Sequence, residues 1–254
     1  MTVHDVIPVI HPQWHILRRR IYFRYVLKCR FPFVDQFIAT SHNTRRDLLA
    51  HYRVPGDRVE VVYEGVDEKF RPAPVPKRDI LCVGTLKPRK NFRAVIEVFV
   101  ELVARFGISE NLVVVGKPGW YFRDLFRVPS GYEHRIRFAG YVSEEELIRL
   151  YQRAKLFVYP SFYEGFGLPV LEAMACGCPV VTSNVSSLPE VAGDAAILVN
   201  PKDKAQLLQA MYRVLNDPEL RDRMARAGLA RAAQFSWNRC AEMTLEVYEK
   251  AVCR

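Results

Sequence analysis

Pro160-Ser-Phe-Tyr-Glu-Gly-Phe-Gly-Leu-Pro-Val-Leu-Glu-Ala-Met-Ala-Cys-Gly-Cys-Pro179 is the stretch on which the reading of this 254-residue chain turns. It follows an apolar run, Leu156–Tyr159, that reads as a buried strand. A glycine-containing turn comes next, then a helical pattern from about Leu168. Pro169 suits the first helical turn, where a missing N–H costs nothing. The main-chain N–H groups of Gly165, Phe166, Gly167 and Leu168 are therefore expected at an open helix start, where anions bind. Gly165 and Gly167 permit close approach of a ligand to the backbone. Glu164 and Glu172 bracket the turn. On spacing alone two readings stand. Either Glu172 accepts hydrogen bonds from vicinal hydroxyls such as a ribose, or Glu164 is a helix cap and Glu172 an ordinary surface residue.

A second turn adds weight to the first reading. The apolar run Ile80–Val83 leads into Gly84-Thr-Leu-Lys-Pro-Arg-Lys-Asn91 and then an amphipathic pattern. Arg89 and Lys90 are placed to clamp a diphosphate. Cations at a helix start oppose the macrodipole, so an anion is expected beside them.

Further apolar runs at 37–40, 59–62, 112–115, 136–139, 180–182 and 196–199 alternate with helical patterns. Phe92, Val95, Ile96, Phe99, Val103 and Phe106 share one helix face. Ser143 before Glu144, Glu145 and Glu146, and Asp203 before Leu207, Leu208 and Met211, read as helix starts. Strand–helix alternation of this kind predicts an α/β fold with a parallel sheet covered on both faces. Prolines at 72, 74 and 76 forbid regular structure across 71–78 and suggest a linker. The expected organisation is a partial N-terminal unit over 1–72, a complete Rossmann-like unit over 73–236 and a terminal helix over 237–254.

Half of the residues are hydrophobic and a quarter charged, the balance of a globular chain. No apolar run is long enough to span a bilayer, and no signal peptide is read at the start. Six scattered cysteines lack zinc or redox spacing and read as free thiols. The net charge of +9 is concentrated early. Residues 14–34 carry Arg18, Arg19, Arg20, Arg24, Lys28 and Arg30, with aromatic and aliphatic residues between them and no acid. Such a helical stretch suits either a core helix with a solvated basic face or contact with an anionic membrane surface. Nucleic-acid motifs do not accompany it, and no nucleic-acid partner is expected.

Together these residues resemble the family-four retaining glycosyltransferases of the GT-B fold. The E-x7-E pair Glu164 and Glu172 resembles the family signature, and the 84–91 turn its phosphate loop. Phe138-Ala-Gly-Tyr-Val142 resembles its nucleobase loop. Glu64-Gly-Val-Asp67 with Phe70-Arg-Pro72 resembles the crossing between its domains. Ser41 with Thr44-Arg-Arg-Asp47 resembles the last strand and helix of its N-terminal domain, and Thr2-Val-His-Asp5 a strand end facing the donor sugar.

The resemblance implies a GT-B-like fold and transfer of a sugar from a nucleotide-sugar donor, with retention, to a glycan or lipid-linked acceptor. By that analogy Glu172 holds the ribose, while Glu164 contacts the donor sugar near the reacting centre. The 165–168 backbone binds sugar and phosphate oxygens, with Thr85, Arg89 and Lys90 on the phosphate side. Val142 lies at the base, and His4 near the reacting bond. Thr85 stands where many members have Arg, and Glu64 where many have Asn. No D-x-D motif occurs, so no metal and no cofactor are expected. The 84–86 and 3–5 segments resemble members using GDP-mannose. Part of the N-terminal domain is expected to be missing, so a non-catalytic nucleotide-sugar-binding module or half of a split enzyme also fits. A cytoplasmic protein, peripheral on the inner membrane face, is the expected setting.

Overall fold

The computed structural model describes residues 1–119 and 128–252. Two parallel sheets carry the fold. The first has the order β1-β2-β3, from Thr2–Val3 (β1), Phe37–Ala39 (β2) and Val59–Val61 (β3). The second has the order β6-β5-β4-β7-β8-β9. Its strands are Asp79–Val83 (β4), Leu112–Val115 (β5), Ile136–Gly140 (β6), Ala154–Tyr159 (β7), Val180–Ser183 (β8) and Ile197–Val199 (β9).

The period-two geometry of a strand explains why these runs are apolar throughout. Ile80, Cys82, Leu112, Val114, Leu156 and Val158 face one apolar layer. Their neighbours Leu81, Val83, Val113, Val115, Phe157 and Tyr159 face the other. Eight helices matter for the argument: His42–Tyr52 (α1), Phe92–Phe106 (α2), Glu144–Arg153 (α3), Leu168–Ala175 (α4), Leu188–Ala192 (α5), Lys204–Asn216 (α6), Pro218–Ala232 (α7) and Trp237–Val252 (α8). Helices α2 and α6 seal the first layer, α3 and α4 the second. The expected caps form: Ser143 Oγ accepts from Glu146 N–H and Asp203 Oδ1 from Gln206 N–H.

The chain moves from β4 through β5 to β6 on one side, then crosses back to β7 and on to β9 on the other. The switch point therefore lies between β4 and β7, whose carboxyl ends frame the crevice where such sheets bind ligands. This is what brings the 84–91 and 160–167 turns together. Residues 71–78 contain no helix or strand. Helix α8 returns to the first sheet, where Val247 packs with Ile38 and Val62 and Lys250 pairs with Glu60 at 2.9 Å.

The basic stretch is helical, with a π turn over Tyr22–Val26 between α-helical turns Leu17–Ile21 and Leu27–Arg30. The core-helix expectation holds at Leu27 and Phe31, which are buried. Phe23 and Val34 pack partly against the same core, whereas Leu17 is 68% and Tyr25 59% exposed. Among the described residues no helix is long and apolar enough to cross a membrane. The described cysteines are free, and Cys253 lies outside the described residues.

Candidate active site at the cleft between the sheets

The two turns are joined by a main-chain hydrogen bond and by one from the Arg89 guanidinium. Phe162 N–H donates to Arg89 C=O at 2.9 Å, and Arg89 donates to Tyr163 C=O. At the centre of this junction Glu164 is buried, its side chain 9% exposed. Lys90 Nζ lies 2.7 Å from Glu164 Oε1 and Arg89 Nη1 2.6 Å from Oε2. Ser161 Oγ donates to Oε1 at 2.6 Å and the Tyr159 hydroxyl at 2.9 Å. The anion expected beside the cations is thus a side chain of the neighbouring turn. Arg89 and Lys90 are both turned in on Glu164, not open to solvent as a free clamp.

These contacts settle the charges. Burial alone would raise the Glu164 carboxyl, but Lys90 and Arg89 outweigh it and hold it at about 2. Burial lowers Lys90 to about 8, against the pull of Glu164. Both groups stay ionised at neutral pH. One carboxylate facing two cations leaves a net positive charge.

Glu164 does not cap α4. Gly167 (φ 128°) stands just before the helix and gives no side-chain cap, so the open helix start expected from the sequence is present. Leu188 would lie 2.9 Å from a Cβ at Gly167. Glu172 sits one turn further in. It is no ordinary surface residue, for burial raises its carboxyl and the Tyr151 hydroxyl of α3 donates to its Oε2 at 2.9 Å. Val142, in the turn between β6 and α3, packs against the same apolar layer as Val170 and Leu171 of α4. Thr85 is exposed on the turn after β4 and joins none of these contacts. Phe166 is buried against Tyr63 and Phe235.

The first sheet closes over this turn. A Cβ placed on Gly165 would lie 1.9 Å from the carbonyl oxygen of His4. The Gly165 carbonyl accepts from Ser41 Oγ at 2.6 Å and Thr44 Oγ1 at 3.1 Å. His4 itself bonds Glu64 through Nδ1 at 2.8 Å, not its neighbour Asp5, whose Oδ1 accepts from Ile7 N–H. The tertiary structure thus gathers His4, Arg89, Lys90, Glu164 and the 165–168 turn. It also recruits Tyr151, Tyr159 and Ser161, which no motif signalled, and brings Glu64 of the 64–67 motif to His4. Buried hydroxyl residues at the end of an apolar run, Tyr159 and Ser161, were the available sign.

Two parallel sheets facing each other across a cleft, with an uncapped helix start and a buried ion-pair cluster at the switch point, form a GT-B-type fold. The model of glycosyl transferases group 1 matches residues 66–231, and that of glycosyltransferase family 4 matches residues 1–70. The chain belongs to this glycosyltransferase family. It is 35% identical over 263 residues to O-antigen chain mannosyltransferase B of Escherichia coli, covering 98% of this chain and 69% of that protein. It is 30% identical to the serotype-specific mannosyltransferase WbdA of Escherichia coli, covering 97% of this chain but 33% of that protein. In structure it resembles sucrose-phosphate synthase of Thermosynechococcus elongatus, with a TM-score of 0.82, 24% identity and coverage of 99% of this chain and 67% of that one. Anabaena Alr3699/HepE in complex with UDP and glucose gives a TM-score of 0.83, 19% identity and coverage of 98% and 70%.

Proposed function

We propose that this chain carries the donor site of a retaining mannosyltransferase that moves mannose from GDP-mannose to a glycan or lipid-linked acceptor. The observation that carries this reading is the Arg89–Glu164–Lys90 cluster beside the open start of α4. It supplies a residual positive charge and aligned N–H groups in one low-dielectric place. The diphosphate lies there, and its charge, growing as the glycosidic bond breaks, is met by groups already in position. Glu172 accepts from the ribose hydroxyls, with Val142 beside the base and Thr85 at the phosphate loop. Glu164 and His4 flank the donor sugar. Support for mannose comes from relatives named mannosyltransferases.

The base and the sugar of the donor are the features to test. A thermal-shift panel of nucleoside diphosphates and their sugars comes first, because ligands bound only by the native state raise Tm. GDP and GDP-mannose are expected to give the largest shift. A larger shift with UDP or UDP-glucose overturns the donor assignment.

We further propose that the basic helical stretch contacts an anionic membrane surface on the acceptor side. Arg20, Arg24 and Lys28 line a 660 Å³ groove with Leu17, Ile21 and Tyr25, which joins cations to exposed apolar side chains. Cosedimentation with phosphatidylglycerol vesicles is expected and should weaken with salt. Equal binding to phosphatidylcholine vesicles contradicts it.

A further inference from the structure

The start of α1 is capped twice, and only one cap is local. Ser41 Oγ accepts from Thr44 N–H at 3.0 Å. The two preceding N–H groups go to one carboxylate on α5, 147 and 148 residues away. His42 N–H donates to Glu190 Oε2 at 2.8 Å and Asn43 N–H to Oε1 at 2.7 Å. A carboxylate at a helix start is favoured by both the unpaired N–H groups and the macrodipole. Here it comes from the donor-side sheet and grips a helix of the other sheet.

Glu190 is itself held in place. Arg231 of α7 donates to the carbonyls of Glu190 and Val191, the latter at 3.0 Å, and the Tyr63 hydroxyl reaches Oε2 at 3.4 Å. Beside it, the Tyr163 hydroxyl donates to Asp47 and accepts from Asn43 Nδ2 at 2.7 Å. The capped turn of α1 also carries Ser41 and Thr44, which donate to the carbonyl of Gly165. Thr40 Oγ1, one residue earlier, donates to the carbonyl of His4 at 3.0 Å. One short segment thus touches Glu190, the donor turn and the His4 strand end.

We propose that Glu190 is a positioning residue of the transfer reaction: by capping α1 across the cleft it sets the closed arrangement in which Ser41, Thr44 and His4 press on the Gly165 turn. It rests on the glycosyl-transfer reading and adds to it a residue whose carboxylate is hydrogen-bonded to His42, Asn43 and Tyr63. Loss of the carboxylate leaves two N–H groups at the cleft without their acceptor and frees α1 to swing from the donor turn. Closure then competes with an open arrangement, and the donor is bound by the fraction that is closed.

The test uses the full chain with Glu190→Ala and Glu190→Gln. Amide exchange at His42 and Asn43 is measured beside kcat and KM for the donor. Glu190→Ala is expected to speed exchange at both amides and to raise the donor KM about tenfold, the size of one charged cap and its hydrogen bonds. Glu190→Gln, which still offers an acceptor oxygen, is expected to recover much of both. Unchanged exchange and KM in Glu190→Ala overturn the proposal. So does a Glu190→Gln variant as impaired as Glu190→Ala with a matching fall in Tm, which marks a merely structural role. A parent chain with no turnover on any nucleotide sugar overturns the glycosyl-transfer reading instead, while the exchange measurement still judges the cap.

Discussion

Lys90 Nζ and Glu164 Oε1 lie 2.7 Å apart in a buried contact that joins the turns after β4 and β7, 74 residues distant in sequence. The pair exists because β4 and β7 are neighbours at the switch point of the sheet. It binds the site together before any donor arrives.

Removing Glu164 should therefore cost stability as well as turnover. Glu164→Ala leaves Lys90 and Arg89 buried without their shared anion, and breaking a buried pair costs about 3–5 kcal/mol. A fall in Tm of several degrees is expected by calorimetry. The carboxyl held at about 2 also sets the acid limb. Its folded value is depressed, so its contribution is complete above the unfolded carboxyl range and is lost as pH falls toward 2. Acid titration of Glu164→Gln should lack that component.

Lys90 titrates in the working range. Burial brings it to about 8, below its ordinary 10.5. Between those values the unfolded chain holds the proton and the folded chain does not, so Lys90 makes stability rise with pH there. Nucleoside diphosphate affinity should move the opposite way, weakening above about pH 8 as the cation is lost. Isothermal calorimetry across pH 7–9.5 should show this step in the parent and its absence in Lys90→Met.

Glu172 should trade stability for binding. Its folded value is raised, chiefly by burial, so its charge opposes folding at neutral pH. Glu172→Gln keeps an acceptor for the Tyr151 hydroxyl and removes that charge. We expect Tm to rise by roughly 2–4 °C, the response to about 1 kcal/mol in a chain of this size. Nucleotide affinity should fall about tenfold, as for a lost charged hydrogen bond. Calorimetry and a binding titration on the same preparation check both.

Gly165→Ala tests the closed cleft. The added methyl meets the His4 carbonyl at 1.9 Å, so the two sheets must move apart. Turnover should fall at least 100-fold, or about 2.7 kcal/mol, and donor KM should rise as the closed fraction falls. Parent-like turnover would show that His4 and Gly165 need not touch during transfer.

Much of this is legible in the sequence. The helix at α4, its proline in the first turn and the open N-terminus follow from local preferences, and Leu168–Ala175 forms where they place it. The apolar runs become the strands of the larger sheet because continuous apolar sequence suits a strand buried on both faces. Glu164, Lys90 and Arg89 were legible as residue types, but not as a cluster.

Partnership required the fold. The sequence by itself determined which segments are strands and helices, and which turns carry acids, bases and glycines, since these depend on neighbours a few residues apart. Only the tertiary structure decided that Glu164 neutralises Lys90 and Arg89, that Glu64 pairs with His4 and that Glu190 reaches across to α1. Such contacts depend on strand order and on the closing of one sheet over the other, and no local pattern of residues encodes which distant carboxylate will arrive beside a buried cation.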